Sequence, residues 1–159
     1  MLWKNKGRAD VFVPLPRIEQ VQVIRMDGSR RVIHAGGKGI TLGVSEDPLL
    51  LLYKGGGTTL AQELGTPVAT LSATPNLIAR REPVTLTVVL NGASAEGVKL
   101  IAPPFWTVKK DHDGGPATVR FTLSAPPTSS IREVDLIVTL DDGKGNRQGE
   151  LFYRAPLAD

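Results

Sequence analysis

Cysteine is absent from the 159-residue chain. That excludes disulfide bridges, thiolate catalysis and zinc–thiolate centres. It leaves the compartment open, because cysteine-free chains suit the cytoplasm and export equally. Aromatic residues make up only 5% of the sequence, so a core must rest on Val, Leu and Ile, which suit pleated, half-buried surfaces. Net charge is small, with 19 Lys and Arg against 16 Asp and Glu. The doublets Arg30-Arg31, Arg80-Arg81 and Lys109-Lys110 apart, the basic residues are dispersed. No basic stripe interleaved with aromatics is present, so nucleic acid is not an expected partner. Long hydrophobic runs are missing as well. The longest, Pro48 to Tyr53, is far short of the ~20 residues that span a bilayer as a helix. Met1-Leu2-Trp3-Lys4 does not have the pattern of a signal peptide. A soluble chain with no membrane partner is the expectation.

What is present has period two. Val11, Val13 and Leu15 alternate, as do Val21 and Val23, and Ile40, Leu42 and Val44 with Thr41 and Gly43 between them. Alternation of this kind marks strands with one buried face. Leu49 to Leu52 is apolar throughout and is expected to be a central strand covered on both sides. The second half is cleaner. Val84, Leu86, Val88 and Leu90 form one set, Val119, Phe121 and Leu123 another, and Val134, Leu136, Val138 and Leu140 a third. The 17 Gly and 12 Pro punctuate the chain. Met26-Asp27-Gly28-Ser29 carries the Asp-Gly of a tight hairpin, and Ala35-Gly36-Gly37-Lys38-Gly39 supplies positive-φ positions. Asp113-Gly114-Gly115-Pro116 and Asp141 to Asn146 supply two more turns. Short strands joined by such turns predict an all-β sandwich or barrel.

The one segment of helical character is Thr58 to Gly65, which follows Gly55-Gly56-Gly57. It divides the chain into a small antiparallel β-sheet module over 1–54, a linker over 55–66 and a β-sandwich over 67–159. A 54-residue sheet buries little surface by itself, so the first module is expected to lean on another body.

Two stretches resemble known families. Leu2-Trp3, Val11 to Leu15, Val21 to Gly28, and Gly39 to Leu52 with its Ser45-x-x-Pro48 step follow the order of the C-terminal sheet behind the (β/α)₈ barrel of many retaining glycoside hydrolases. Val84 to Asn91, Val98 to Leu100, Ala102 to Val108 and Val119 to Pro126 are similar to Ig-like modules found beside glycosidase and carbohydrate-binding domains. Phe105 stands where those modules commonly have Gly before the Trp. The resemblance implies an Ig-like sandwich in the second half. It also implies a non-catalytic accessory role, an upstream catalytic barrel if the chain is a fragment, and a periplasmic or secreted parent. The family's catalytic carboxylates lie on the barrel, so none transfers to this chain.

The residues furnish few alternatives. His34 and His112 are the only histidines, and the Asp111-His112-Asp113 neighbours read as a turn, since a triad is oriented by tertiary contacts. Asp141 to Asn146 has Lys144 in its middle and no closing Glu at a calcium-loop offset, so a hairpin turn is expected and no metal. Gly36-Gly37-Lys38-Gly39 does not have phosphate-loop spacing. Glu46 and Asp47 are adjacent and would point apart, which rules them out as a hydrolytic pair. No catalytic residue and no cofactor are expected, and the chain is read as not an enzyme. Aromatic rings that stack on sugars are the remaining candidates. The rings considered are Trp3, Tyr53, Phe105, Trp106 and Tyr153; of these Phe105, Trp106 and Tyr53 are the candidate carbohydrate-binding residues, with Trp106 expected inward and Phe105 outward. Polysaccharide is therefore a candidate partner. The leading expectation is a structural accessory module of a polysaccharide-processing protein. The alternatives are a carbohydrate-binding module and an Ig-like module that pairs with a protein through its edges.

Overall fold

The computed structural model describes residues 1–159 except 1, 3, 5, 55–63, 75–77, 80–81, 112–114, 127–132 and 159, with backbone alone at 78–79 and 155–158. The helical turn expected over 58–65 falls mostly outside the described residues, as do Trp3, His112 and Arg80-Arg81. Among the described residues there is no helix. The first five strands are β1 (Ala9–Pro14), β2 (Gln20–Ile24), β3 (Arg30–His34), β4 (Gly39–Val44) and β5 (Leu50–Leu52). Then come β6 (Ala69–Thr74), β7 (Ile78–Ala79), β8 (Val84–Leu90), β9 (Val98–Ile101) and β10 (Thr107–Asp111). The chain ends with β11 (Thr118–Ser124), β12 (Glu133–Asp141) and β13 (Arg147–Ala158).

The strands form three layers. The middle layer is the sheet β1-β4-β13-β12-β9, with β7 added to β13. The sheet β10-β11-β8-β6 covers one of its faces and β3-β2-β5 the other. Register shows how one sheet serves two cores. Leu136, Val138 and Leu140 on β12 lie opposite Tyr153, Leu151 and Gly149 on β13. That face closes on Leu86, Val88, Val119, Phe121 and Leu123. Ile40, Leu42 and Val44 on β4 instead join Val13, Leu15, Val21, Val23 and Ile33 in a second core. Each such side chain, fully buried, contributes roughly 1.5–3 kcal/mol of hydrophobic free energy. The orders β10-β11-β8-β6 and β13-β12-β9 are those of the D-E-B-A and G-F-C sheets of an Ig constant-type sandwich.

The two cores are joined by a parallel pairing of β4 with β13, Thr41 with Gly149 and Leu42 with Glu150. Here the simple alternation expected of β4 fails. Thr41 and Gly43 are buried along with Ile40, Leu42 and Val44, because β4 lies inside a sheet with a layer on each side. Thr41 Oγ1 accepts a hydrogen bond from Val68 N at 3.2 Å. At Gly43 a Cβ would lie 2.3 Å from Phe152 N, so only glycine fits. Thr139, between Val138 and Leu140 on β12, is likewise buried.

A second departure concerns β5. Leu49 to Leu52 is not a central strand covered on both sides. Leu49 is buried, but among the described residues β5 is an edge strand whose one strand partner is β2, and Leu50 and Leu52 are 40% and 47% exposed. The apolar run meets a second face that nothing described covers. The Asp113-Gly114-Gly115-Pro116 turn lies partly outside the described residues; two described turns follow their expected chemistry. Gly28 N bonds to Arg25 O at 3.0 Å, with φ of +81° at Gly28. Lys38 N and Gly39 N both bond to Ala35 O at 3.0 Å.

Candidate functional site

The sequence-derived candidates do not form one site. Phe105 sits in the β9–β10 loop and is 91% exposed. Its φ of +69° is unusual for a bulky residue. Trp106, its neighbour, packs half-buried against the core of the sandwich. Tyr53 follows β5 and packs half-buried on the other core. Ring and ring therefore belong to different lobes. Among the described residues Phe105 is the one large aromatic that is exposed.

Other candidates resolve into local structure. His34 Nε2 lies 3.3 Å from Gln20 Nε2 on β2. Asp142 organises its own turn: its Oδ1 accepts from Lys144 N and Asn146 N, both at 2.8 Å. Bonds from the Asn146 side chain and backbone hold its carboxyl below the usual range. Among the described residues no group of His, Asp and Glu could hold a metal ion.

Two surface features stand out instead. The first is the outer face of β3-β2-β5. Pairing sets Val32, Gln22 and Leu52 in one row and Arg30, Ile24 and Leu50 in the next. Val32 is 55% exposed, and Met26, in the hairpin turn, 71%. A shallow depression of about 580 Å³ is cut into this face between Gln20, Gln22, Val32, Leu52 and Lys54. Arg17 and Lys54 are its basic lining residues and Glu19 its acidic one.

The second is the seam between the lobes, built of charged side chains far apart in sequence. Arg8 donates from Nε to Phe152 O at 2.8 Å, from Nη1 to Leu71 O, and from Nη2 to Asp10. Asp10 Oδ2 accepts from Leu71 N at 2.7 Å. Burial pushes the Asp10 carboxyl above its usual range, against the pull of Arg8. Arg154 pairs with Asp135 at 2.7 Å and also with Asp47. Its hydrogen bonds to Asp135 push its pKa up. Deeper in the seam, Arg31 Nη1 meets Glu150 Oε2 at 3.0 Å, and Glu150 is fully buried. Arg25 lies 4.4 Å from the centre of the Phe152 ring, with Nε and Nη2 buried and not hydrogen-bonded. Burial lowers its pKa.

Where the end of β4 turns away from β13, this seam opens into a cleft of about 460 Å³. Ser45, Glu46, Asp47, Glu133, Tyr153 and Arg154 are among its lining residues. Sequence reasoning weighs Glu46 and Asp47 only as an adjacent pair and Tyr153 only as a single ring, and it does not bring them together with Arg154, because the contacts of the seam span 107 and 119 residues. One signal was available: Glu150 directly precedes the apolar run Leu151-Phe152-Tyr153. Neither a family model, nor a curated protein, nor a solved structure matches the chain.

Proposed function

We propose that this chain is a non-catalytic accessory module that docks a larger protein body through the outer face of β3-β2-β5. The uncovered apolar face carries the reading. An unbroken apolar run such as Leu49–Leu52 is the pattern of a strand buried on both sides. Leu50 and Leu52 are nonetheless exposed, beside Val32 and Met26. Exposed apolar patches rimmed by polar residues mark interaction surfaces. The basic lining residues Arg17 and Lys54 suit a partner whose contact surface is apolar at its centre and acidic at its edge. The resemblance to post-barrel sheets supplies a candidate of that kind, a (β/α)₈ glycoside hydrolase barrel in the same polypeptide. The rigid seam would then hold the sandwich at a set angle to it.

The test begins with the coding region on either side of this chain. A barrel domain encoded in frame is expressed separately and titrated with the chain in sedimentation velocity runs. Saturable association is expected, lost in the Val32→Asp/Leu52→Asp double variant. The chain alone is expected to release no sugar from a panel of glycosides. Lack of association with such a barrel, or turnover by the chain alone, overturns the reading.

A second reading has its own support. Phe105 presents an exposed ring at a backbone conformation that costs about 1–3 kcal/mol for a non-glycine residue. It follows Pro103-Pro104, and the core-packed Trp106 anchors it. Such a ring is suited to the apolar face of a sugar. Affinity electrophoresis in polysaccharide gels should show retardation that Phe105→Ala removes; equal mobility of the two proteins rejects the idea.

A further inference from the structure

We propose that β5 is the contact strand of a symmetric dimer, its open edge pairing antiparallel with β5 of a second copy of this chain. The direction of the backbone groups carries the inference. Bonded and non-bonded pairs alternate along an antiparallel ladder. Arg25 N donates to Ser29 O at 3.0 Å, so the next bonded pair of the β2–β3 ladder is Val23 with Arg31. Val23 thus turns its N–H and C=O to β3, and Gln22 and Ile24 turn theirs to Leu52 and Leu50 of β5. Leu49 and Leu51 are then left pointing away from β2. Leu49 bears this out, since it exchanges bonds of 2.7 and 2.8 Å with Leu2. Leu51 presents its groups on the same open side, and Tyr53, next in phase, does so too. Among the described residues no strand pairs with that side beyond Leu2.

Other edges are guarded. Charged side chains, Lys above all, keep exposed edges from pairing. Arg30 and Arg31 stand on β3, Lys109 and Lys110 on β10. On β9, Lys99 pairs with Asp141 at 2.9 Å. Cover serves elsewhere. On β6 the Leu71 carbonyl accepts from Arg8 and the Leu71 N–H donates to Asp10. On β1, Phe12 exchanges backbone bonds with Gly65. The β5 edge has neither device: Leu50, Leu51 and Leu52 carry no charge.

The edge is complementary to itself, which selects a second copy as the occupant. A two-fold axis at Leu52 sets Leu51 of each copy opposite Tyr53 of the other. Both residues point their backbone groups outward, so each such pair exchanges two hydrogen bonds. Leu52, 47% exposed in the single chain, meets Leu52 of the second copy. Leu50 meets the aliphatic stem of the exposed Lys54. Like charges, which destabilise directly opposed pairs, do not face each other. The row of Val32, Gln22 and Leu52 continues across the axis into the same row of the second copy. The two small sheets become one.

The dimer does not depend on the docking face, and its test keeps the two apart. Sedimentation equilibrium of the full chain is measured from micromolar to millimolar concentration. A monomer–dimer equilibrium is expected, with amide hydrogen exchange at Leu51 and Tyr53 slowing as the dimer fills. Leu52→Lys and Leu52→Glu, each made at an exposed position, oppose like charges across the axis. Each should raise the dimer dissociation constant by more than about tenfold. Mixed in equal amounts, the two variants should dimerise again, because position 52 faces itself. Val32→Asp changes the docking face but not the edge, and should dimerise as the unaltered chain does. A monomer at every concentration overturns the proposal. So does a dimer that survives Leu52→Lys, one that is lost in Val32→Asp, or a mixture of the two Leu52 variants that stays monomeric. The first measurement uses the unaltered protein, so a variant that does not fold leaves the proposal open to refutation.

Discussion

The two lobes solve the same packing problem with different completeness. In the C-terminal lobe, strands from two sheets turn their alternating apolar faces on one another, and Val84, Leu86, Val88, Leu123 and Leu136 are all fully buried. In the N-terminal lobe β3-β2-β5 closes one side of a core and leaves Val32, Leu50 and Leu52 on the other. The sandwich also exposes Val89, Ile101 and Val108, but these lie on strands that do not pair with one another, so they form no row. The N-terminal lobe takes β13 as a sheet neighbour of β4, and its outer row stays uncovered among the described residues.

The seam is where the comparison is easiest to break. Arg31→Met would leave the fully buried Glu150 without the partner that holds Oε2. A loss of about 3–5 kcal/mol is expected in urea unfolding. Glu150→Gln made on that background should restore part of it.

Next comes the test of whether two cores behave as one. Leu42→Ala and Leu136→Ala, one in each core, should each cost about 2–5 kcal/mol. If the shared sheet couples the lobes, each variant shifts a single transition, with near- and far-ultraviolet circular dichroism coinciding. Two separate transitions would show that the lobes unfold independently.

A smaller effect of opposite sign belongs to the sandwich alone. Phe105→Gly removes a positive-φ strain and should raise stability by about 1 kcal/mol, once the greater freedom of glycine in the unfolded chain is set against it. Thermal and urea unfolding would measure it.

Acid titration sharpens the contrast between seam and turns. Asp10 has its pKa raised above 3.8 by burial, so the folded protein takes up its proton more readily than the unfolded chain. Its contribution is therefore most favourable at low pH, and stability falls as pH rises from 3.8 through the folded value. Asp27 and Asp142 have theirs lowered by hydrogen bonds from Ser29 and Asn146. Their stabilisation is complete above 3.8 and is lost as pH falls through the folded values. Urea midpoints measured across this range should show a shallower acid-side decline in the Asp27→Asn/Asp142→Asn double variant. Asp10→Asn should instead remove the opposing component.

The smallest change is expected on the face read as a docking surface. Val32→Ser with Leu52→Ser should alter stability by less than about 0.5 kcal/mol per site, while surface hydrophobicity falls, as read by reduced dye binding. A large loss would mean that the row already supports the fold of the isolated chain.

Much of this architecture is legible in the residue order. Asp27-Gly28 makes its hairpin, the 84–90, 118–124 and 133–141 runs are strands, and Trp106 turns inward while Phe105 turns out. These are local matters. Period-two alternation says which side chains share a face, and turn chemistry says where the chain reverses. The β6 strand escaped notice because Ala69, Leu71 and Ala73 form a weak apolar row, two of them single methyl groups.

Local pattern names a buried face but not what covers it. Leu49 to Leu52 reads the same whether a second layer is present or absent, and only packing showed β5 to be an edge. Thr41 and Gly43 look like outward positions until β13 is laid beside β4. The seam is more remote still. Arg8 reaches Phe152, Arg31 reaches Glu150 and Arg154 reaches Asp47 across more than a hundred residues. A charge in a sequence carries no address for its partner, because electrostatic and hydrogen-bond geometry exists only once the chain has closed. The alternation of side chains thus determined that this protein would be built of sheets. Tertiary structure alone decided that one sheet would serve both cores, and that their junction would be a charged cleft.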